Sequence, residues 1–183
     1  SEDSSWSNPV ILDASVCSVS GGWSRKDVDL TAYAGKKVWI AFYHTAASPY
    51  ESAGWYIDDI TIIKLEPEFT GDFEGEFSGD IEGGWGDWSA ENGAWQIGTP
   101  TSGPGSAHGG EQCACTVLDG NYPPSTDSRL ISAPIYLPAV TGDEEIHLRF
   151  WQWFSYSSGE VGYVQISEDS SWSNPVILDA SVC

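Results

Sequence analysis

Positive charge is scarce in this sequence: seven Lys and Arg stand against 27 Asp and Glu, giving a formal net charge of −20. A chain of that sign repels phosphate backbones and anionic membrane surfaces, which excludes nucleic-acid binding, and it favours hydration and divalent cations. Long apolar runs are also missing; none approaches the roughly 18 residues that a membrane-spanning helix requires. No signal peptide opens the chain, which says little about export, because an internal segment would carry none. Histidine is limited to His44, His108 and His147, far apart in sequence, and no HExxH, GxSxG or phosphate-loop pattern occurs. The expectation is a non-enzymatic protein. There are four cysteines and none has a zinc-type spacing with Cys or His. Amphipathic helical periodicity is absent too, since no stretch keeps an i, i+3, i+4, i+7 pattern for three turns.

Methionine is absent altogether, while ten Trp and eight Tyr carry much of the apolar character, and 20 Gly and 10 Pro lie mostly between short apolar runs. That is an all-β profile. Strands are expected at Lys37–His44, Trp55–Lys64, Glu145–Phe154 and Val161–Ser167, with shorter ones at Val10–Asp13 and Val176–Asp179. Leu130–Ile131 and Ile135–Leu137 read as one strand broken at a proline. In Lys37–His44 both alternating faces are apolar, so both sides are expected to be at least partly covered. Thr99–Gly110, dominated by Gly, Pro and Ser, reads as a surface loop.

Internal repetition decides the organisation. Ser1–Cys17 (SEDSSWSNPVILDASVC) recurs letter for letter as Ser167–Cys183. Residue 167 repeats residue 1, so the period is 166 residues, about one domain. An engineered duplication is the alternative to a natural tandem repeat. Either way, two copies of one segment can compete for one place in the fold, the precondition for strand exchange between chains. Residues 65–79, rich in Glu, Asp and Gly, read as a self-repelling, extended linker.

Several segments together resemble a known family. LISAPIYLPA (Leu130–Ala139), the aromatic run Leu148–Phe154, VQIS (Val164–Ser167), VDLTAYAGKKVWIAFYH (Val28–His44) and above all GWYIDDITI (Gly54–Ile62) resemble the MAM-like jelly-roll repeats of bacterial surface proteins. These include the cleaved-adhesin domains of secreted haemagglutinins and related choice-of-anchor modules. The resemblance implies a two-sheet antiparallel jelly roll, extracellular and non-enzymatic, often holding structural calcium. Its order is permuted here. Residues 1–64 match the end of such a domain and 80–183 its beginning, so the two parts are expected to belong to successive jelly rolls, unless the linker folds back and joins both within one chain. Sharing sandwiches in this way propagates without closing, as in open filaments.

The candidate sites follow. Asp58 and Asp59 are consecutive on a strand, so one faces inward unless the strand ends or a cation accepts it, and a buried carboxylate is costly unless paired or metal-bound. The resemblance brings a first-strand acid near them, making Glu82 with Asp59 the first calcium candidates and Asp58 and Asp80 the next; a solvated or Lys-paired carboxylate is the plain alternative. For the cysteines, disulfides are favoured over metal. Cys17 and Cys183 are one repeat position, and Cys113 and Cys115 are expected on opposite faces of a strand. A copy of Cys17 is then expected to bond Cys113 or Cys115 across the junction. Exposed Trp85, Trp88, Trp95, Trp151 and Trp153 would stack on sugar rings, although core or interface packing is the commoner use of such rings. The leading expectation is an extracellular structural or adhesive repeat that binds its own kind head to tail, with glycans or a host or cell surface as further partners; the alternative is a carbohydrate-binding module.

Overall fold

The computed structural model describes residues 19–47, 49, 51–64, 67–71, 88–92, 94–157, 160–172 and 175–180. Twelve strands lie among them: β1 Ser24–Asp29, β2 Lys37–Thr45, β3 Gly54–Ile63, β4 Pro67–Gly71, β5 Ser89–Glu91, β6 Gln96–Gly98, β7 Cys113–Cys115, β8 Asp127–Ile131, β9 Ile135–Tyr136, β10 His147–Ser155, β11 Val161–Ser167 and β12 Val176–Ala180. They form two antiparallel sheets. The first has the order β1-β10-β3-β7-β6, with β4 also on β3; the second has the order β12-β11-β2-β8-β5, with β9 also on β2. The expected all-β, two-sheet antiparallel sandwich is what the chain forms.

Alternation builds the core between the sheets. Val38, Ile40 and Phe42 of β2 point inward, as do Leu148 and Phe150 of β10, Trp55, Ile57, Ile60 and Ile62 of β3, and Val164 and Ile166 of β11; all are at most 1% exposed. Phe42 sits at the centre, edge-on to Trp55 and Phe150 and stacked on Trp88, with centroids 5.6, 5.0 and 5.9 Å away. The break at Pro134 is real: β8 pairs β2 at residues 41–45, and after the SAP interruption β9 pairs it again at Lys37 and Val38.

Strands from both sides of the acidic segment interleave. Within this chain β3 lies between β10 and β7, and β2 lies between β11 and β8, so the two parts complete one sandwich, the alternative left open by their order in sequence. Pro67–Gly71, expected as linker, instead pairs antiparallel with Ile60–Ile63 as β4.

One end of the interior is polar. His44, next in the inward row of β2, is fully buried between Tyr122 and Tyr156, with ring centroids at 4.6 and 5.3 Å. Its Nδ1 lies 3.2 Å from the Tyr156 hydroxyl, and Tyr122 donates to the buried Glu160 carboxylate. Burial pulls the His44 pKa down to about 3 and pushes that of Glu160 up.

Candidate functional site

Two features stand out, a clasp on the outer face of the first sheet and the slot that receives the repeated segment. The clasp starts from a change of parity in β3. Trp55 and Ile57 face the core, but so do Ile60 and Ile62, which strict alternation from 57 forbids. One extra residue is absorbed at Asp58-Asp59, where the register with β10 shifts between Arg149 and Trp151 and Asp59 adopts φ 47°. This is a bulge, and its effect is to keep Asp59 as well as Asp58 off the core side before Ile60 returns to it.

Asp58 is nonetheless sealed, at 0% exposure, because the loop following β6 lies over it. Its Oδ2 accepts the backbone N–H groups of His108 at 2.7 Å and Gly109 at 3.1 Å, and its Oδ1 accepts that of Asp59 at 2.9 Å. Burial raises its pKa to about 6, against the opposing pull of these three donors. Asp59 holds the His108 ring through Nδ1 at 2.5 Å, and that ring lies flat on Trp151, 3.9 Å between centroids, with Trp23 edge-on to it. Farther along the same loop, the Tyr56 hydroxyl donates to the Val117 carbonyl and lies 2.8 Å from Ser102 Oγ, while Gly103 passes so close to the Tyr56 ring that a Cβ would meet it at 2.5 Å. The clasp therefore ties a Gly-Ser-Pro loop to the sheet by three side chains of the GWYIDDI segment, Tyr56, Asp58 and Asp59.

A calcium ion needs six to eight oxygen ligands. Asp58 spends both oxygens on N–H donors and Asp59 directs one at an imidazole, so these residues alone do not fit that ion. Glu82 and Asp80 lie outside the described residues.

The cysteine geometry corrects one expectation. Cys113 and Cys115 are two apart on β7, and residues two apart share a face. Both are fully buried, packed together with Tyr56 beneath Trp153, Trp23 and Leu118. Among the described residues neither is bonded to another cysteine, and burial drives the Cys115 pKa up. Cys17 and Cys183 lie outside the described residues.

The tryptophans also sort differently from the sugar-stacking expectation. Trp88 and Trp95 are core residues, 5% and 4% exposed, because the inner faces of β2 and β3 close on them. Trp151 gives a face to His108, and Trp153 is set edge-on to Tyr56 at 5.3 Å. Trp85 lies outside the described residues.

The slot lies at the edge of the second sheet. The repeated segment begins at Ser167, the buried last residue of β11, turns through Asp169, whose Oδ1 accepts the Ser171 N–H at 2.8 Å, and returns as β12. β12 pairs with β11 through Tyr163–Ala180, Val164–Asp179, Gln165–Ile177 and Ile166–Val176. Leu178 is wholly buried and belongs to the core, and Trp172 is buried to 5% exposure with φ 51°. A tryptophan held in the left-handed region persists only where its surroundings impose it. Lys36 adds an ion pair to Glu168 at 2.6 Å. Each of these contacts uses a residue that the sequence repeats: Glu168 as Glu2, Trp172 as Trp6, Leu178 as Leu12.

Among known proteins, Bacillopeptidase F of Bacillus subtilis (strain 168) is 31% identical over 107 residues, a stretch covering 58% of this chain and 7% of that protein. The chain thus spans a small fraction of the length of the curated relative it matches. No family profile matches the chain. No solved structure matches it.

Proposed function

We propose that this protein is an extracellular, non-catalytic structural and adhesive repeat whose units join head to tail by sharing a sandwich. The observation that carries the reading is that residues 167–172 and 175–180 fill a shaped slot, with Leu178 in the core and Trp172 seated against the sheet, while the same sequence stands at Ser1–Cys17. Any surface that accepts the one accepts the other, since each contacting side chain is the same. A neighbour's Ser1–Cys17 therefore competes for the slot at no cost in contacts, and donation from chain to chain is a head-to-tail, open-ended contact.

Substituting each copy separately tests this. In light scattering coupled to size exclusion, the unaltered chain is expected to form a concentration-dependent ladder of oligomers, seen as filaments in electron micrographs. Leu12→Asp, which spoils only the donated copy, is expected to be a folded monomer. Leu178→Asp, which weakens the internal occupant, is expected to shift material towards oligomers. A ladder unchanged by Leu12→Asp, or a strictly monomeric unaltered chain at the highest attainable concentration, overturns the reading.

A further inference from the structure

The outward face of the second sheet carries a groove that the clasp does not touch and that the repeated segment closes on one side only. It lies over Ile131 as an open, shallow groove of about 580 Å³, a size suited to a small organic ligand or a few sugar rings. Trp39 and Trp172 wall it, Ser89 and Ser170 edge it, and Glu91 stands on its rim. Trp172, 5% exposed, closes one side, and the half-buried Trp39 ring, with hydroxyls and a carboxylate near it, offers apolar surface for C–H faces and acceptors for hydroxyl groups on one ligand.

The rim is built rather than incidental. Glu91 is 46% exposed on its side chain, but the guanidinium that fixes it is not: Arg129, 11% exposed, binds the Glu91 carboxylate at 2.5 Å. Arg129 is fixed in turn by Gln165 Oε1, which accepts its Nε–H at 3.1 Å, and by the Tyr43 ring, 4.2 Å beneath it. Tyr43 then stacks on its cross-strand partner Tyr163, 5.7 Å between centroids. Tyr163, Tyr43, Arg129 and Glu91 are direct register partners across β11, β2, β8 and β5. A buried arginine thus holds an exposed carboxylate in one orientation, and a fixed acceptor loses little entropy when a hydroxyl binds it. At Trp39 the ring is steadied by Lys37, whose Nζ sits 5.1 Å from it.

Charge selects among ligands of this chemistry. With Glu91 at the rim and a net charge of −20 on the chain, an acidic polysaccharide is repelled and a neutral one is not. We infer that this groove binds a neutral polysaccharide, its sugar rings packed on Trp39 and their hydroxyls donating to Glu91. The site does not depend on strand exchange, because the wall supplied by Ser170–Trp172 is reproduced by Ser4–Trp6 of a donor.

Native affinity electrophoresis tests it, with gels containing hydroxyethylcellulose, galactomannan or a soluble β-1,3-glucan, and alginate as the acidic probe. At least one neutral polymer is expected to retard the chain and alginate is not. Trp39→Ala is expected to weaken retardation tenfold or more, and Trp39→Phe to retain most of it. Trp151→Phe, on the other sheet, is expected to bind as the unaltered chain does, and so is the Leu12→Asp monomer, which separates this site from the assembly reading. Thermal melts identify any variant that has lost its fold. Glu91→Gln, which keeps an oxygen for Arg129, supplies an independent loss of several-fold. Indifference of every neutral polymer, or equal retardation of a folded Trp39→Ala, overturns the assignment.

Discussion

Asp58 and His44 are both sealed from water, and burial acts on them in opposite senses because one is charged when deprotonated and the other when protonated. Asp58 rises from 3.8 to about 6, so the folded state holds a proton that the unfolded chain has released; its contribution is complete below 3.8 and is lost as pH rises through about 6. His44 falls from 6.5 to about 3, so the unfolded chain takes up a proton that the folded state refuses. Its contribution is complete above 6.5 and is lost as pH falls towards 3. Between pH 4 and 6 the two slopes oppose each other, each at most about 1.4 kcal/mol per pH unit. Urea unfolding across that range is expected to show the unaltered chain losing stability relative to His44→Phe as pH falls, and gaining it relative to Asp58→Asn. Parallel curves for both pairs would refute the assignment. A further consequence belongs to the clasp. Asp58→Ala leaves the N–H groups of Asp59, His108 and Gly109 without their acceptor, which is expected to cost about 1–3 kcal/mol and to speed amide exchange at His108 and Gly109 specifically.

Among elements, the long strands were legible because period-2 alternation and β-branched runs survive without knowledge of partners, as in Lys37–Thr45 and Val161–Ser167. The short ones were not. Ser89–Glu91 and Gln96–Gly98 are polar edge strands whose only signature is the neighbour they pair with. The clasp was half legible: the two aspartates announced an irregularity, and Trp55, Ile57, Ile60 and Ile62 encode the parity change. Its partner His108, about fifty residues away in a loop without pattern, is fixed only by tertiary structure. The thiols were misjudged through parity alone, whereas Trp88 as core and Arg129 as the support of a rim carboxylate required the sheet order. Gly162 shows how tightly the elements are matched. It occupies an inward position of β11, where a Cβ would stand 2.6 Å from the Tyr156 hydroxyl and 2.8 Å from the Trp55 ring. Gly162→Val is therefore expected to lower the melting temperature by several degrees, through overpacking worth about 1–3 kcal/mol. Gly120→Ala, with nothing within 4 Å of the added carbon, is the comparison that should melt unchanged.

For the whole molecule, the opposing quantities in assembly are a conserved set of contacts and a large like charge. Exchanging one copy of SEDSSWSNPVILDASVC for another leaves the contacts within the slot as they were, so the balance between monomer and chain of units is set by what differs: translational entropy and repulsion between units of charge −20. Repulsion is the adjustable part, and salt shortens its range from about 30 Å at 0.01 M to about 8 Å at 0.15 M. Association measured by light scattering is accordingly expected to strengthen as sodium chloride rises over that interval, the reverse of an interface held by ion pairs such as Lys36–Glu168. Divalent cations separate screening from coordination. Both oxygens of Asp58 already accept N–H groups and one oxygen of Asp59 is held by the His108 ring, so magnesium and calcium at equal ionic strength are expected to promote assembly equally. A response to calcium alone, abolished by Glu82→Gln and Asp80→Asn and spared by magnesium, would instead place a specific ion at the junction and make coordination rather than screening the control on length.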